Sequence, residues 1–270
     1  MPIATRHLDA DGRQTRVLEA GNGEPLLLIH AFPLTADFWR PQLEAPPPGW
    51  RVIAPDILGP SETSMDDYAA RIEAIAGALG LDRVGVGVGV GVGVVLGGLS
   101  MGGYIFFAIV RRARLAVRGL VLADTRAEAD TDEGRAGRKK MMALADADGA
   151  AGVAREMLPT LVGETTRRER PHVVAAVGAL IASNSAAAIK AALVSMMARP
   201  DSTSLLASIE VPTLVVVGEE DVLTPPANAE TLARGIRGSR LARIAKAGHL
   251  SSLERPDAFT AELERFLREV

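Results

Sequence analysis

A glycine-flanked serine lies between an apolar run and a helical pattern, and this segment restricts the possible folds more than any other. Residues 94–104 are Val-Val-Leu-Gly-Gly-Leu-Ser-Met-Gly-Gly-Tyr. This order predicts a strand, a sharp turn that exposes Ser100, and a helix, with Gly98 and Gly102 leaving room for close backbone approach. The N–H of Met101 would lie at the helix N-terminus, where it can stabilise an oxyanion. The segment therefore predicts that Ser100 is a nucleophile.

Short apolar runs alternate with helical patterns along most of the chain. Further strands are predicted at residues 14–19, 26–29, 51–54, 119–123, 213–218 and 241–245. Apolar residues at helical spacing predict helices at 65–79, 104–114 and 256–270, the first of them ended by Gly80. Strands that alternate with helices predict an α/β fold with a mostly parallel sheet covered on both faces.

A Gly-Val repeat precedes the serine segment. Residues 85–94 contain the dipeptide five times in succession. Valine favours extended structure, but a glycine at every second position weakens a strand, and a two-residue repeat specifies its register poorly. We expect the central strand to occupy about residues 92–97, and the rest of the repeat to form a protruding extension or a loop.

No strand pattern is evident between residues 126 and 201, where alanine, methionine and charged residues dominate. This segment is predicted to be a helical cap inserted between two strands, over a core of residues 1–125 and 202–270. Such a cap would cover the carboxyl edge of the sheet, where open α/β sheets bind ligands. Methionines at 141, 142, 157, 196 and 197 could line a pliable apolar pocket or form the core of the cap.

Composition excludes several functional classes. The 270 residues carry 30 basic and 33 acidic side chains, a net charge of −3, with no long basic run, which argues against nucleic acid and anionic membranes as partners. The absence of cysteine excludes disulfides, thiolate zinc sites and a cysteine nucleophile. No apolar run reaches the roughly 20 residues of a membrane span, and the N-terminus does not resemble a signal peptide. A cytoplasmic location is therefore expected.

A serine nucleophile needs a base, and the chain has four histidines. His7 lies in a polar N-terminal segment and His172 in the predicted cap, so both are expected to be solvated. His30 follows a strand directly and could orient the loop after it. His249 lies just beyond the last predicted strand, at the sheet edge that also presents Ser100. It is the best candidate for the base.

The base needs a carboxylate that holds its tautomer. Asp221 is the preferred candidate, because it follows a predicted strand and leaves the same edge of the sheet. Glu220 is the nearest alternative to Asp221 in this role. Asp124, which directly follows another predicted strand, is a second alternative for the acid. With Asp221, the order along the chain is Ser100, Asp221, His249, which is the order found in α/β hydrolases.

A second donor for the oxyanion is expected in the loop that follows residues 26–29. The N–H of Phe32 is the candidate, beside that of Met101. Phe32 could also form part of the acyl pocket. His30 and Trp39 are further candidates for pocket residues, although Trp39 could equally be a core aromatic.

At these residues the chain resembles the α/β-hydrolase fold superfamily, over nearly its whole length. His-Ala-Phe-Pro at 30–33 resembles the oxyanion loop, usually His-Gly-x-Pro, and residues 56–61 resemble a shortened Asp-x-x-Gly-x-Gly-x-Ser segment. Gly-Glu-Glu-Asp at 218–221 and Gly248-His249 match the acid and base motifs. Within the superfamily, the set looks similar to enol-lactonase and esterase-like members related to 3-oxoadipate enol-lactonase. The Gly-Val repeat departs from that pattern by about ten extra residues.

The identity of the nucleophile narrows what the resemblance implies. Haloalkane dehalogenases and epoxide hydrolases of this fold carry an aspartate at this position, and proline iminopeptidases usually show Gly-Gly-Ser-Trp-Gly. Ser100 in Gly-Leu-Ser-Met-Gly fits neither pattern. The expected activity is hydrolysis of a small carboxylic ester or lactone, without metal or cofactor. A cofactor-free perhydrolase or haloperoxidase-type activity, and a non-catalytic binding protein on the same fold, are the alternatives. The oligomeric state is left open.

Overall fold

The computed structural model describes residues 2–81 and 93–270. Within these residues the strands are β1 (Ala4–Ala10), β2 (Arg13–Gly21), β3 (Glu24–Ile29), β4 (Trp50–Pro55), β5 (Val94–Leu99), β6 (Val117–Ala123), β7 (Thr213–Gly218) and β8 (Arg240–Ile244). They form one sheet in the order β1-β2-β4-β3-β5-β6-β7-β8. β2 is antiparallel to β1 and β4, and all other neighbours are parallel. The predicted fold, a mostly parallel sheet, is confirmed.

Helices connect the strands and cover the sheet. In the described residues they are α1 (Arg40–Glu44), α2 (Met65–Ala78), α3 (Met101–Arg112), α4 (Asp132–Leu161), α5 (Glu164–Glu169), α6 (Pro171–Ala182), α7 (Ala186–Ala198), α8 (Pro226–Gly235), α9 (Ser251–Glu254) and α10 (Pro256–Leu267). α3 packs against β5 and α2, while α8 and α10 pack against β7 and β8. Every residue of β5 is buried, as expected for a parallel strand with both faces covered.

The N-terminal strand β1 was not predicted from the sequence. It is an edge strand that pairs with β2 alone, and its first four residues are exposed. Only Leu8 and Ala10 of β1 are buried. A strand with so few buried positions has little apolar signal, so pairing with β2 determines its conformation.

The central strand lies two residues further along the chain than expected. β5 spans Val94–Leu99, so it ends directly before Ser100, and its pairing with β6 is irregular between Val94 and Val95. The expected extension or loop over the earlier part of the Gly-Val repeat lies outside the described residues.

Four helices, α4 to α7, fill the segment between β6 and β7, which confirms the predicted helical insertion. The longest, α4, is broken at Gly149, whose φ of 64° and ψ of −164° are not helical. α4 packs against both α6 and α7.

No single helix of the described residues is long and apolar enough to cross a membrane. By length and composition only, the pair α6 and α7 passes such a test together, with a bend of 94° between them.

Candidate active site

Ser100 occupies a strained turn between β5 and α3. Its φ of 56° and ψ of −110° lie in a region that side-chain-bearing residues rarely adopt. The turn is held by hydrogen bonds on both sides. The Ser100 N–H donates to the Ala123 carbonyl (2.9 Å), and the Thr125 hydroxyl donates to the Ser100 carbonyl (2.8 Å). The end of β6 thus stabilises the conformation that exposes Ser100.

The glycines on either side of this turn are required by close packing. A Cβ on Gly98 would lie 2.8 Å from the Gly102 carbonyl carbon, and a Cβ on Gly102 would lie 2.7 Å from the Ile29 carbonyl oxygen. Both distances are shorter than real Cβ contacts. Any larger residue would displace the turn from β3 or from its own helix.

Asp221 and His249 form a buried hydrogen-bonded pair. His249 Nδ1 lies 2.8 Å from Asp221 Oδ2, and each residue is only 3% exposed. The other carboxylate oxygen, Oδ1, accepts from the N–H groups of Leu223 (2.8 Å) and Thr224 (3.0 Å), and the Thr224 hydroxyl donates to Oδ2 (2.6 Å). The carboxylate is therefore fully hydrogen-bonded and oriented toward the imidazole.

The electrostatics of the pair favour an ionised Asp221 and a basic His249. Burial by itself raises the pKa of Asp221, but the charge and hydrogen bond of His249 and the bonds from Thr224 leave that pKa below its usual value. Burial by itself lowers the pKa of His249, but the charge and hydrogen bond of Asp221, with the charges of Asp124 and Glu254, raise that pKa above its usual value. The imidazole is thus a stronger base than a free histidine.

Ser100 and His249 line the same cavity, which has a volume of about 230 Å³. Thr224 and Tyr104 also line it. Its apolar lining comes from Phe32, Met141, Met157, Leu161, Leu193, Met196 and Leu223. Of the five methionines singled out from the sequence, those at 141, 157 and 196 reach the cavity. Within the described residues, the Ser100 hydroxyl and the His249 ring are not joined by a direct hydrogen bond, and such contacts often tighten only when substrate is bound.

Two backbone donors expected for the oxyanion are unpaired. Among the described residues, neither the Phe32 N–H nor the Met101 N–H has a protein acceptor within hydrogen-bond distance. Phe32 lines the cavity beside Ser100, and Met101 begins α3 directly after it. Unpaired N–H groups at a helix start attract a negatively charged oxygen.

The expectation that His30 and Trp39 line the pocket is wrong. Both are fully buried and lie outside the cavity lining. Trp39 packs with Phe38 and Phe259, with ring centroids 4.8 and 5.9 Å apart, so it is a core aromatic. His30 Nδ1 is 3.0 Å from the Ala31 carbonyl and its Nε2 accepts from the Ile57 N–H (3.1 Å), so it braces the loop after β3.

The two alternative acids have other partners. Glu220 accepts from the Thr165 N–H (2.8 Å) and is also bonded to the Thr165 hydroxyl, which attaches α5 to the loop after β7. Asp124 accepts from the Gly218 N–H (2.8 Å) and is bonded to the Ser251 hydroxyl. Burial and the charge of Asp221 raise the pKa of Asp124 well above its usual value. Of the three candidates, Asp221 bonds to His249 in the described structure.

Glu254 was not anticipated from the sequence. Its side chain is fully buried, and Oε1 accepts from the N–H groups of Gly248 (3.0 Å) and Leu250 (3.1 Å), the two neighbours of His249. Oε2 accepts from the Gly163 N–H in the helical insertion (2.9 Å). A glutamate at the end of a short helix carries no sequence signal for such a role, because the contact depends on tertiary packing.

Across residues 2–81 and 93–270, no cluster of His, Asp and Glu side chains has the arrangement of a metal site.

Comparison with known proteins shows the family of this chain. A family model described as the alpha/beta hydrolase fold matches residues 24–256. The chain belongs to this family. The α/β-hydrolase architecture explains why the strand ends of β5, β7 and β8 carry a serine, an acid and a histidine at one edge.

Two solved structures and one sequence relative resemble most or all of the chain. A thermophilic esterase from Thermogutta terrifontis, with malate bound, is 35% identical, with a TM-score of 0.87 over 100% of this chain and 99% of its own. The enol-lactonase from Burkholderia xenovorans LB400 has a TM-score of 0.84 at 23% identity, over 97% of this chain and all of its own, which shows the shared fold. A pimeloyl-[acyl-carrier protein] methyl ester esterase from Neisseria meningitidis is 27% identical over 259 residues, 89% of this chain and 91% of its own.

Removing the Asp124 carboxyl should destabilise the fold. Asp124→Ala leaves the buried Gly218 N–H and the Ser251 hydroxyl without their partner, which costs about 1–3 kcal/mol. Asp124→Asn keeps an acceptor for the Gly218 N–H and should lose less. Urea unfolding of the two variants measures the difference, and wild-type stability in Asp124→Ala would contradict it.

Glu254→Gln should loosen the His249 loop and the insertion together. The amide presents its NH₂ group to at least one of three N–H donors, at a cost of about 1–3 kcal/mol. Hydrogen exchange should accelerate at the amides of Gly163, Gly248 or Leu250. Glu44→Gln, at an exposed glutamate, is the matched control and should leave this exchange unchanged. Equal protection in both variants would show that Glu254 does not hold these segments.

Proposed function

We propose that this α/β hydrolase cleaves a small carboxylic ester or lactone through an acyl-enzyme on Ser100. One observation carries the proposal: the Asp221–His249 pair and the strained Ser100 turn meet at a single cavity. The esterases among its relatives support hydrolysis of ester bonds.

In the first half-reaction, His249 Nε2 takes the proton of the Ser100 hydroxyl as Oγ attacks the carbonyl carbon. Asp221 accepts a hydrogen bond from Nδ1–H and stabilises the imidazolium that forms. The N–H groups of Phe32 and Met101 donate to the oxyanion of the tetrahedral intermediate. Collapse of the intermediate breaks the bond to the alcohol oxygen, which receives the proton from His249.

In the second half-reaction, His249 takes a proton from water as the hydroxide attacks the acyl carbon. The new tetrahedral intermediate uses the same two N–H groups. Its collapse releases the carboxylic acid and returns the proton from His249 to Ser100 Oγ. No atom or charge is left on the protein.

In this mechanism the helical insertion determines the range of substrates. We assign residues 126–201 as a cap over a core formed by residues 1–125 and 202–270. Met141, Met157 and Leu193 bring apolar side chains from the cap to the cavity. A volume of about 230 Å³ favours a short acyl or alcohol group.

Ser100→Ala should reduce hydrolysis of a short p-nitrophenyl ester by about 10³-fold or more, because the acyl group has no acceptor. A fluorophosphonate probe should label the wild type and fail to label the variant. Ser183→Ala, at an exposed serine of the cap, is the matched control and should keep both properties. Undiminished turnover by a folded Ser100→Ala protein would overturn the assignment. Unlabelled wild type without esterase activity would favour the binding-protein alternative, and peroxide-dependent halogenation in acetate would favour the perhydrolase alternative.

The pH dependence tests His249 as the base. Only neutral imidazole accepts the serine proton, so kcat/KM should rise with pH through the His249 pKa, with a midpoint above the usual pKa of histidine. Asp221→Asn removes the charge that raises this pKa, so its midpoint should move to lower pH while kcat falls by about 10⁴-fold. A profile that is flat from about pH 5 to 8, or a midpoint unmoved in Asp221→Asn, would contradict the assignment.

A further inference from the structure

The lining of the candidate active-site cavity carries positive charge as well as apolar side chains. Arg126 and Arg138 contribute to the same lining as Ser100 and His249. Among the described lining residues there is no aspartate or glutamate. The proposed catalytic groups do not use either guanidinium.

A single buried carboxylate organises this charge. Asp130 is 4% exposed and accepts from Arg126 Nη2 (2.8 Å), Arg199 Nη1 (2.6 Å) and the Arg138 guanidinium. Burial by itself raises the pKa of Asp130, but the hydrogen bonds and charges of Arg138 and Arg199 lower it to about 2. Asp130 is therefore ionised at neutral pH. Three guanidiniums against one carboxylate leave the cluster with two excess positive charges.

Arg199 packs inside the protein and does not line the cavity, unlike Arg126 and Arg138. It is buried against the Tyr104 ring, 4.0 Å from the centroid, and donates to the carbonyls of Met196 (3.0 Å) and Glu128 (2.8 Å). Arg126 and Arg138, in contrast, reach the lining of the cavity. Arg138 bonds to Asp130 through Nε and Nη2, and in the part of the chain that the structure describes its Nη1 has no protein acceptor. The excess charge is thus available at the cavity, on Arg126 and Arg138.

A guanidinium with unused donors in a mainly apolar cavity favours an anionic ligand. Charges in such surroundings are poorly screened, so an added anion interacts more strongly there than at the surface. The planar fork of arginine matches the two oxygens of a carboxylate. We propose that Arg126 and Arg138 bind a free carboxylate on the substrate, so that the preferred substrates are half-esters of short dicarboxylic acids.

This inference rests on the proposed ester hydrolysis and narrows its substrate class. Monomethyl glutarate represents the class: the ester carbonyl would meet Ser100 while the free carboxylate contacts the two arginines. Hydrolysis releases methanol and glutarate. Methyl pentanoate is the neutral comparison, because it has the same chain length and no second carboxylate.

Arg138→Gln tests the recognition, because Asp130 keeps Arg126 and Arg199 as partners in this variant. Wild type should prefer monomethyl glutarate over methyl pentanoate in kcat/KM by about tenfold or more. Arg138→Gln should reduce this ratio by about tenfold, mainly through KM, and Arg138→Lys should restore part of it. Arg155→Gln removes the same charge from α4 at an exposed position outside the cavity. This control should keep the wild-type ratio.

Two results would overturn the recognition by Arg138. One is a wild-type ratio near unity. The other is an equal loss of the ratio in Arg138→Gln and Arg155→Gln, which would indicate a general effect of net charge.

Binding of glutarate to Ser100→Ala separates this inference from the proposed function. Calorimetry should detect glutarate binding in Ser100→Ala, and the further change Arg138→Gln should weaken it by about tenfold. If glutarate binds in this way but wild type hydrolyses no ester, the anion site stands and the proposed function fails. If wild type hydrolyses neutral esters through Ser100 but glutarate does not bind, the anion site fails and the proposed function stands.

Discussion

Buried carboxylates that must be fully hydrogen-bonded are the constraint on which the candidate site depends. An ionised or polar carboxyl group without partners is costly in the protein interior, so each one selects the loop conformation that satisfies it. Asp221 orders the loop after β7 and orients His249. Asp124 joins the end of β6 to Gly218 and Ser251. Glu254 holds both neighbours of His249 and reaches the helical insertion at Gly163. The loops at this edge are thereby fixed relative to one another before any ligand binds.

The parallel sheet supplies the second half of this arrangement. The parallel strands β3 and β5 to β8 end at one edge of the sheet. The residues that follow these strands are therefore close in space although they are far apart in the sequence. The strained conformation of Ser100 is tolerated because both of its backbone polar groups are hydrogen-bonded. Its N–H donates to the carbonyl of Ala123 at the end of β6, and its carbonyl accepts from the hydroxyl of Thr125, two residues further on. Backbone strain of this kind persists where the surroundings determine the conformation more strongly than local preference does.

The cavity combines two opposite electrostatic environments. On one side, Asp221 increases the basicity of His249. On the other, Asp130 gathers three arginines and leaves two of them at the cavity lining. Both effects depend on burial, because charges in water would be screened over the same distances. The proposed activation of Ser100 and the proposed carboxylate recognition therefore share one physical cause, a buried acid that fixes the position of basic groups.

Local sequence patterns determined the α/β architecture and the turn at Ser100. They also indicated that Asp221 and His249 lie at the same edge of the sheet as Ser100. Apolar runs such as residues 213–218 specify buried strands through their composition alone. A strand that turns this sharply into a helix needs small residues at the turn, which Gly98 and Gly102 supply. The tertiary structure alone decided which side chains occupy the cavity and which are core. Burial placed Trp39 and His30 in the interior, pairing with β2 made β1 a strand, and packing of distant segments assigned Glu254 and Asp130 their partners. The physical reason is that a hydrogen-bond partner across 91 residues, as for Glu254 and Gly163, leaves no trace in local periodicity.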